Sequence, residues 1–171
     1  MGEFITGAVA RERFRVLLDA VYGAYAEMRE LSSDEVGNAF RVEMAERLET
    51  QERTNRGLMY RVFGELADPP DEVGLMAGLV DSLWARLRIA PGEIKRRMNV
   101  AGRIRPRRSL LGPAVPADLP LVARAVEAGE IGEDHLRVIT NAMAKLPSCV
   151  SVTDRTDVEA SLAMALVMTF R

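Results

Sequence analysis

Histidine and cysteine are almost absent from the 171-residue chain, which contains one of each, His135 and Cys149. A single cysteine excludes an internal disulfide and a Cys-x-x-Cys zinc knuckle. With only one histidine in addition, the chain lacks the three or four imidazole and thiolate ligands that most zinc sites use. We therefore expect no metal and no cofactor. We also expect no catalytic role for His135, because no nucleophile or carboxylate constellation accompanies it.

Aromatic residues and long apolar runs are also scarce. Phe, Trp and Tyr make up 5% of the chain, so leucine, valine, alanine and nine methionines must fill the interior. The longest uncharged run, 160–170, is too short to span a bilayer, and no signal-peptide pattern begins the chain. The 48% hydrophobic and 28% charged content is typical of a soluble globular protein. We expect a cytoplasmic location, no membrane partner and no small-molecule substrate.

Apolar residues recur at three- and four-residue steps along almost the whole chain, a spacing that is typical of amphipathic helices. The spacing predicts an all-α fold, an irregular bundle of about seven helices with helix-turn-helix-like corners. Only the short run 148–152 has a β-like composition. We predict one helical domain over 1–171. The alternative is a sub-division into an N-terminal helical pair, 1–68, and a second helical region, 71–171. A loop is predicted at 105–117.

Several residues predict where these helices begin and end. Pro91 suits the first position of the fourth helix, where its missing N–H has no hydrogen bond to lose. Gly129 suits the left-handed position after the fifth helix. The polar run 49–57 is either an exposed length of a long helix or a hinge near Gly57. The predicted N-caps and capping boxes are Ser32 with Glu35, Asp71, Asp118, and Thr156 with Glu159.

Two segments share the layout of a helix, a short turn with one inward isoleucine, and a second helix. In the first segment Ile89 precedes Pro91, and in the second Ile131 precedes Gly132. This is the layout of a helix-turn-helix unit, whose second helix can lie in a DNA major groove. Ordinary corners in helical bundles have the same pattern, so neither turn by itself establishes DNA binding.

Positive charge is concentrated around the first turn. The segment 83–108 contains nine Lys or Arg residues and one acid, Glu93, although the whole chain has a net charge of −2. If Ile94, Met98 and Ala101 face the core, the cations and the asparagine between them face outward. Arg and Lys bind phosphates or guanine, and Asn binds adenine; a solvated helix face is the alternative. The predicted nucleic-acid-binding residues are Lys95, Arg96, Asn99, Arg103, Arg105, Arg107 and Arg108.

The second turn carries the opposite charge. Glu127, Glu130, Glu133 and Asp134 surround the predicted start of the sixth helix. Carboxylates repel phosphate and suit a helix N-terminus. We therefore expect this turn to contact a protein partner or to pack against the basic segment, and not to read DNA.

Two stretches of sequence resemble a known family. The stretches "LWARLRIAPGEIKRRMNVA" (83–101) and "LPLVARAVEAGEIGEDHLRVITNAMAKLP" (119–147) are similar to the actinobacterial 13E12 repeat family. Its helical part is the domain of unknown function 222, usually found at the front of HNH-endonuclease-like proteins. The resemblance implies a helical fold and no catalytic residues in this segment.

The nuclease activity of such proteins resides in a separate module. An HNH nuclease needs a histidine-rich ββα-metal region, usually with zinc-binding cysteines, and the one His and one Cys of this chain cannot supply it. We therefore expect no enzymatic activity, and we expect the chain to be a truncated copy.

Three hypotheses about function follow. The first is a non-catalytic helical module that binds nucleic acid, with duplex DNA as the partner. The second is a protein-interaction or dimerisation bundle, in which the apolar stripe from Val36 to Leu66 pairs with a second copy. The third is an inactive copy of a nuclease gene.

Overall fold

The computed structural model describes residues 7–67, 78–107 and 113–169, with side chains described as far as residue 165. The described residues form seven α-helices, and their only β pairing is an isolated bridge between Arg107 and Val115. The predicted all-α class is therefore confirmed. The predicted cap Asp71 and the predicted contact residue Arg108 lie outside the described residues. The helices are α1 (Gly7–Glu30), α2 (Gly37–Ala67), α3 (Leu79–Leu87), α4 (Pro91–Ile104), α5 (Pro120–Glu127), α6 (Glu133–Ala144) and α7 (Val152–Thr169).

The chain divides into two compact units, Met1–Ala45 and Glu46–Arg171, and the boundary between them falls within α2. In the first unit, α1 has no buried residue. The predicted capping box of Ser32 with Glu35 is wrong. The Ser32 hydroxyl accepts a hydrogen bond from the Asp34 N–H at 3.2 Å, which makes a local turn, and α2 begins later, at Gly37.

The second unit contains the hydrophobic core. α2 contributes Tyr60 and Phe63, each 1% exposed, and α4, α5 and α6 contribute Ile94, Val122 and Ile139, which are wholly inaccessible to solvent. Leu58 and Val62, which belong to the apolar stripe from Val36 to Leu66, are about half exposed and lie outside this core. Aromatic side chains supply large buried areas, and the two in α2 fill the centre of this small core.

α2 approaches the end of α5 closely along the polar run 49–57. A Cβ added to Gly57 would lie 2.7 Å from the Val126 carbonyl oxygen. Gly129 has a φ of 69°, and an added Cβ there would meet the Thr54 hydroxyl at 2.6 Å. The Arg53 Nε–H donates to the Gly129 carbonyl at 2.7 Å. The run is therefore part of one long helix that packs on α5, and not a hinge.

Both predicted corners are present. Between α3 and α4, Ile89 packs against the core and Pro91 begins α4 as predicted. Between α5 and α6, Gly129 takes the predicted left-handed conformation and Ile131 is buried, at 3% exposure. Each corner therefore fixes the start of the second helix through one inward isoleucine.

Two predicted helix starts are wrong. Asp118 does not cap α5, which begins at Pro120 after Leu119. Thr156 does not cap α7, which begins at Val152. Ser151 caps α7: its hydroxyl accepts a hydrogen bond from the Asp154 N–H at 3.1 Å and donates one to the Asp154 carboxylate at 2.8 Å.

Glu159, predicted to complete a capping box with Thr156, caps another helix. Glu159 is 2% exposed, and its carboxylate accepts hydrogen bonds from the backbone N–H groups of Leu121 and Val122, at 2.7 and 2.9 Å. These groups belong to the first turn of α5, whose N–H groups have no partner within the helix. The carboxylate therefore ties α7 to the start of α5.

Replacing Gly57 with alanine tests the contact between α2 and α5. The new methyl group would meet a backbone oxygen, so Gly57→Ala should destabilise the fold by about 1–3 kcal/mol. Gly102→Ala in α4 is the matched control, because nothing lies within 4 Å of an added Cβ there, and it should stabilise by about 0.5–1 kcal/mol. Urea denaturation measures both. Equal effects of the two substitutions would contradict the close approach.

Candidate nucleic-acid interface

α4 presents its predicted apolar face to the core. Ile94 and Ala101 are wholly buried and Met98 is half-buried. On the other side Lys95 and Asn99 are exposed, as predicted. The remaining two residues of the predicted outward stripe, Arg96 and Arg103, are only partly exposed, because both turn toward neighbouring helices.

Arg96 and Arg97 both bind Glu93 within the first turns of α4. The Arg96 Nε–H and Nη2–H groups donate to the two Glu93 carboxylate oxygens, each at 2.7 Å. The Arg97 Nε–H donates to the same carboxylate at 2.6 Å. These hydrogen bonds, with that of Arg96 the stronger, lower the pKa of Glu93 from the ordinary value of 4.5 to about 2.

Arg96 also reaches the start of α6. Its guanidinium forms an ion pair with Glu133, whose carboxylate accepts a hydrogen bond from the Tyr60 hydroxyl at 3.1 Å and pairs with the Arg56 Nε at 3.2 Å. Burial and the nearby Glu133 charge raise the pKa of Tyr60, and the hydrogen bond to Glu93 raises the pKa of Arg96. We call these six residues, Glu93, Arg96, Arg97, Glu133, Arg56 and Tyr60, the Glu93–Glu133 network.

The expected packing of the acidic turn against the basic segment is therefore found at Glu133. The network joins α2, α4 and α6, and it fixes Arg96 in a structural role. Arg97 is held on its second side by the Phe63 ring, whose centroid lies 5.9 Å from the guanidinium carbon.

The basic residues after α4 also bind carboxylates. Arg105 pairs with Glu127 at the end of α5, and Arg107 pairs with Asp118 at 3.1 Å, just before α5. The second pair is half-exposed on both sides, and such pairs contribute little to stability. The two loop cations within the described residues, Arg105 and Arg107, are thus each paired with a carboxylate.

A groove between α4 and α6 is lined by three of the predicted residues, Arg96, Asn99 and Arg103. Its volume is about 530 Å³, and no carboxylate is among its lining residues. We call it the α4–α6 groove. Its charged and polar lining residues are Arg96, Asn99 and Arg103 from α4, and Arg137, Thr140 and Asn141 from α6.

Arg103 is the central cation of the α4–α6 groove. Its Nη1–H donates to the Thr140 carbonyl at 2.8 Å, which holds the side chain across the groove. Among the described residues no carboxylate pairs with it. Arg137 on the opposite wall pairs with Asp134 at 2.9 Å, but both side chains are more than half exposed.

Sequence reasoning missed Arg137 and Asn141. They stand four residues apart on one face of α6, the spacing at which helix side chains are neighbours. The four-residue spacing is present in the sequence, but the acidic residues before α6 led to the prediction that this turn does not bind DNA.

The other side of the second corner is acidic. A cavity of about 340 Å³ is lined by five carboxylate residues together with Arg53, Gly132 and His135. Within the described ranges no group of three or more His, Cys, Asp or Glu side chains is arranged to hold a metal ion. In the same ranges no helix combines the length and apolar composition needed to cross a bilayer.

The geometry defines an all-α module with two helical corners and a groove between α4 and α6 that is lined by arginine and asparagine side chains. The chain belongs to the family described as a domain of unknown function, DUF222, which matches residues 42–169. The resemblance to the domain of unknown function 222 is thereby confirmed. The family match extends well beyond the two stretches 83–101 and 119–147 on which the resemblance was based.

Several curated relatives are mycobacterial proteins. The chain is 31% identical over 153 residues to an uncharacterized protein of Mycobacterium bovis and to an uncharacterized protein of Mycobacterium tuberculosis strain H37Rv. Each match covers 90% of this chain and 34% of the relative. The chain therefore spans about a third of the length of these relatives. No solved structure matches it.

The Glu93–Glu133 network predicts a specific pH dependence. Because folding lowers the pKa of Glu93 to about 2, its ionised form stabilises the fold above pH 4.5, and this contribution is lost as the pH falls from 4.5 toward 2. Glu93→Gln should lower the free energy of unfolding by about 2 kcal/mol at pH 7. Urea denaturation of the variant should also lack this acid-dependent loss.

The matched control is Glu65→Gln, which removes a carboxylate from an exposed pair with Arg61 on α2. It should change the free energy of unfolding by less than about 0.5 kcal/mol. A Glu93→Gln variant as stable as this control would show that the network does not support the fold.

Proposed function

We propose that this chain is a non-catalytic helical module that binds nucleic acid through the α4–α6 groove. The observation that carries the proposal is the lining of the groove by three arginines and two asparagines without a carboxylate. Arginine forms bidentate hydrogen bonds with phosphate oxygens, and neutralising phosphates releases the counterions that supply most non-specific affinity.

The contact residues differ from those predicted from the sequence alone. Lys95, Asn99 and Arg103 remain, and Arg137 and Asn141 join them from α6. Arg137 can exchange Asp134 for a phosphate at small cost, since exposed ion pairs are weak. Arg96 stays with Glu93 and Glu133, so its role is to hold the two walls of the groove together.

The module would act as part of a longer protein. The matched relatives are about three times as long as the matched segment. The resemblance to the front part of HNH-endonuclease-like proteins implies that this module would hold a separate nuclease module on DNA.

Removing two groove cations tests the proposal. Arg103→Gln with Arg137→Gln, both in the lining of the groove, should weaken binding to a fluorescent 20-base-pair duplex. It should also reduce the slope of log affinity against log salt concentration by about 2, one unit per lost phosphate contact. Fluorescence anisotropy between low and physiological salt gives both values.

The control carries the same change in charge at a distance from the groove. Arg61→Gln with Arg124→Gln, on exposed positions of α2 and α5, should leave the salt slope close to that of the unmodified chain. Equal slopes for all three proteins would reject the groove as the contact surface.

A second candidate function, protein interaction, is favoured by the surface of α1. None of its residues is buried, whereas helices usually take most of their stability from packing of an apolar face. Contiguous exposed apolar surface of this kind marks sites of protein association. The exposed apolar residues of the stripe are Phe14, Leu17, Leu18, Val21, Tyr22, Tyr25 and Met28.

Charge around α1 determines how salt should affect self-association. An α-helix turns by about 100° per residue. Viewed down the axis of α1, its four arginines therefore lie within about 100° of the centre of the apolar stripe, and its four carboxylates lie farther away. The arginines are Arg11, Arg13, Arg15 and Arg29. Like charges beside the stripe oppose the pairing of two copies, and salt screens them. Salt should therefore strengthen self-association and weaken nucleic-acid binding.

Light scattering tests self-association directly. The unmodified chain should form dimers whose fraction rises with salt, and Leu18→Gln with Val21→Gln should be monomeric, because both residues are more than half exposed on the stripe. Leu58→Gln with Val62→Gln, at exposed apolar positions of α2, is the matched control and should remain dimeric. A monomer at every concentration and salt level would reject self-association.

A further inference from the structure

The width of the α4–α6 groove determines which part of a nucleic acid can enter it. An α-helix with its side chains is about 10–12 Å in diameter. The bond from Arg103 to the Thr140 carbonyl and the pairing of Arg96 with Glu133 hold α4 and α6 side by side across the groove. The two helices together are therefore wider than about 12 Å.

A duplex cannot accept both helices in its major groove, which is about 12 Å wide and admits one helix. The side chains that line the α4–α6 groove lie between the two helices. They therefore cannot reach the base edges in the way that side chains of a single helix inserted into the major groove do. Phosphates protrude at the rim of a duplex and can enter a concave surface from outside.

The lining residues also lack the groups that bind bases in single strands. Proteins bind unpaired bases by stacking them on aromatic side chains, and no aromatic residue lines this groove. The available groups are guanidinium, amide and hydroxyl groups, all of which hydrogen-bond to phosphate oxygens.

We infer that the α4–α6 groove seats the sugar-phosphate backbone of a duplex, and that Asn99 and Asn141 bind backbone oxygens and do not read bases. This inference rests on the proposed function, since it names the chemical group that enters the same groove. Binding is therefore independent of sequence. It favours duplex over single-stranded DNA, because the duplex has the higher charge density and releases more counterions per contact.

The test measures the affinity of the full chain for three 20-base-pair duplexes, A·T-rich, G·C-rich and mixed, and for a single-stranded 20-mer at one salt concentration. The three duplexes should bind within about threefold of one another, whereas one bidentate base contact would discriminate by roughly 5- to 150-fold. Asn99→Ala with Asn141→Ala should weaken binding to all three duplexes by the same factor. A preference of more than tenfold among duplexes that this variant abolishes would overturn the inference.

Heparin separates the inference from the proposed function. This sulfated polysaccharide has no bases, and it should displace a labelled duplex completely if the groove binds only backbone anions. Failure of heparin to compete, with duplex binding intact, would overturn backbone recognition but leave the proposed function standing. Absence of binding to every nucleic acid at low salt would overturn both.

Discussion

The ion pairing of Glu93 with Arg96, and of Arg96 with Glu133, is the interaction on which the rest of the second unit depends. It connects the first turns of α4 and α6, and through Tyr60 and Arg56 it connects both to α2. Removing one partner of a partly buried pair leaves a charge without compensation, which costs much more than losing an exposed pair. The network therefore sets the orientation of α4 and α6, and with it the shape of the α4–α6 groove.

The basic segment thus divides into two parts with different roles. Arg96 and Arg97 bind Glu93 within the Glu93–Glu133 network, and the loop cations Arg105 and Arg107 pair with carboxylates at the two ends of α5. The accessible cations are fewer than the sequence implies. In the proposed site these cations face Arg137 and Asn141, which α6 supplies on the opposite wall of the groove. A charge-rich segment is therefore a weak guide to a binding surface until the partners of each charge are known.

Local signals in the sequence predicted the fold more reliably than the site. Apolar spacing gave the all-α class, and Pro91 and Gly129 marked helix ends because their backbone constraints act without distant partners. The capping boxes assigned to Ser32 and Thr156 were wrong, since the Ser/Thr-x-x-Glu spacing occurs often and tertiary contacts decide which copy is used. The pairing of Glu93 with Arg96 can be expected from their three-residue spacing in the sequence. The pairing of Arg96 with Glu133 joins residues that are far apart in the sequence, so no local pattern indicates it.

The central claim is that Arg96 and Arg97 belong to the fold whereas Arg103 and Arg137 belong to the contact surface. Titration of the isotope-labelled chain with a duplex, followed by NMR of the arginine Nε–H signals, tests it most directly. The account predicts that the Arg103 and Arg137 signals move with added DNA and that those of Arg96 and Arg97 stay in place. Movement of the Arg96 and Arg97 signals with Arg103 and Arg137 unaffected would contradict it.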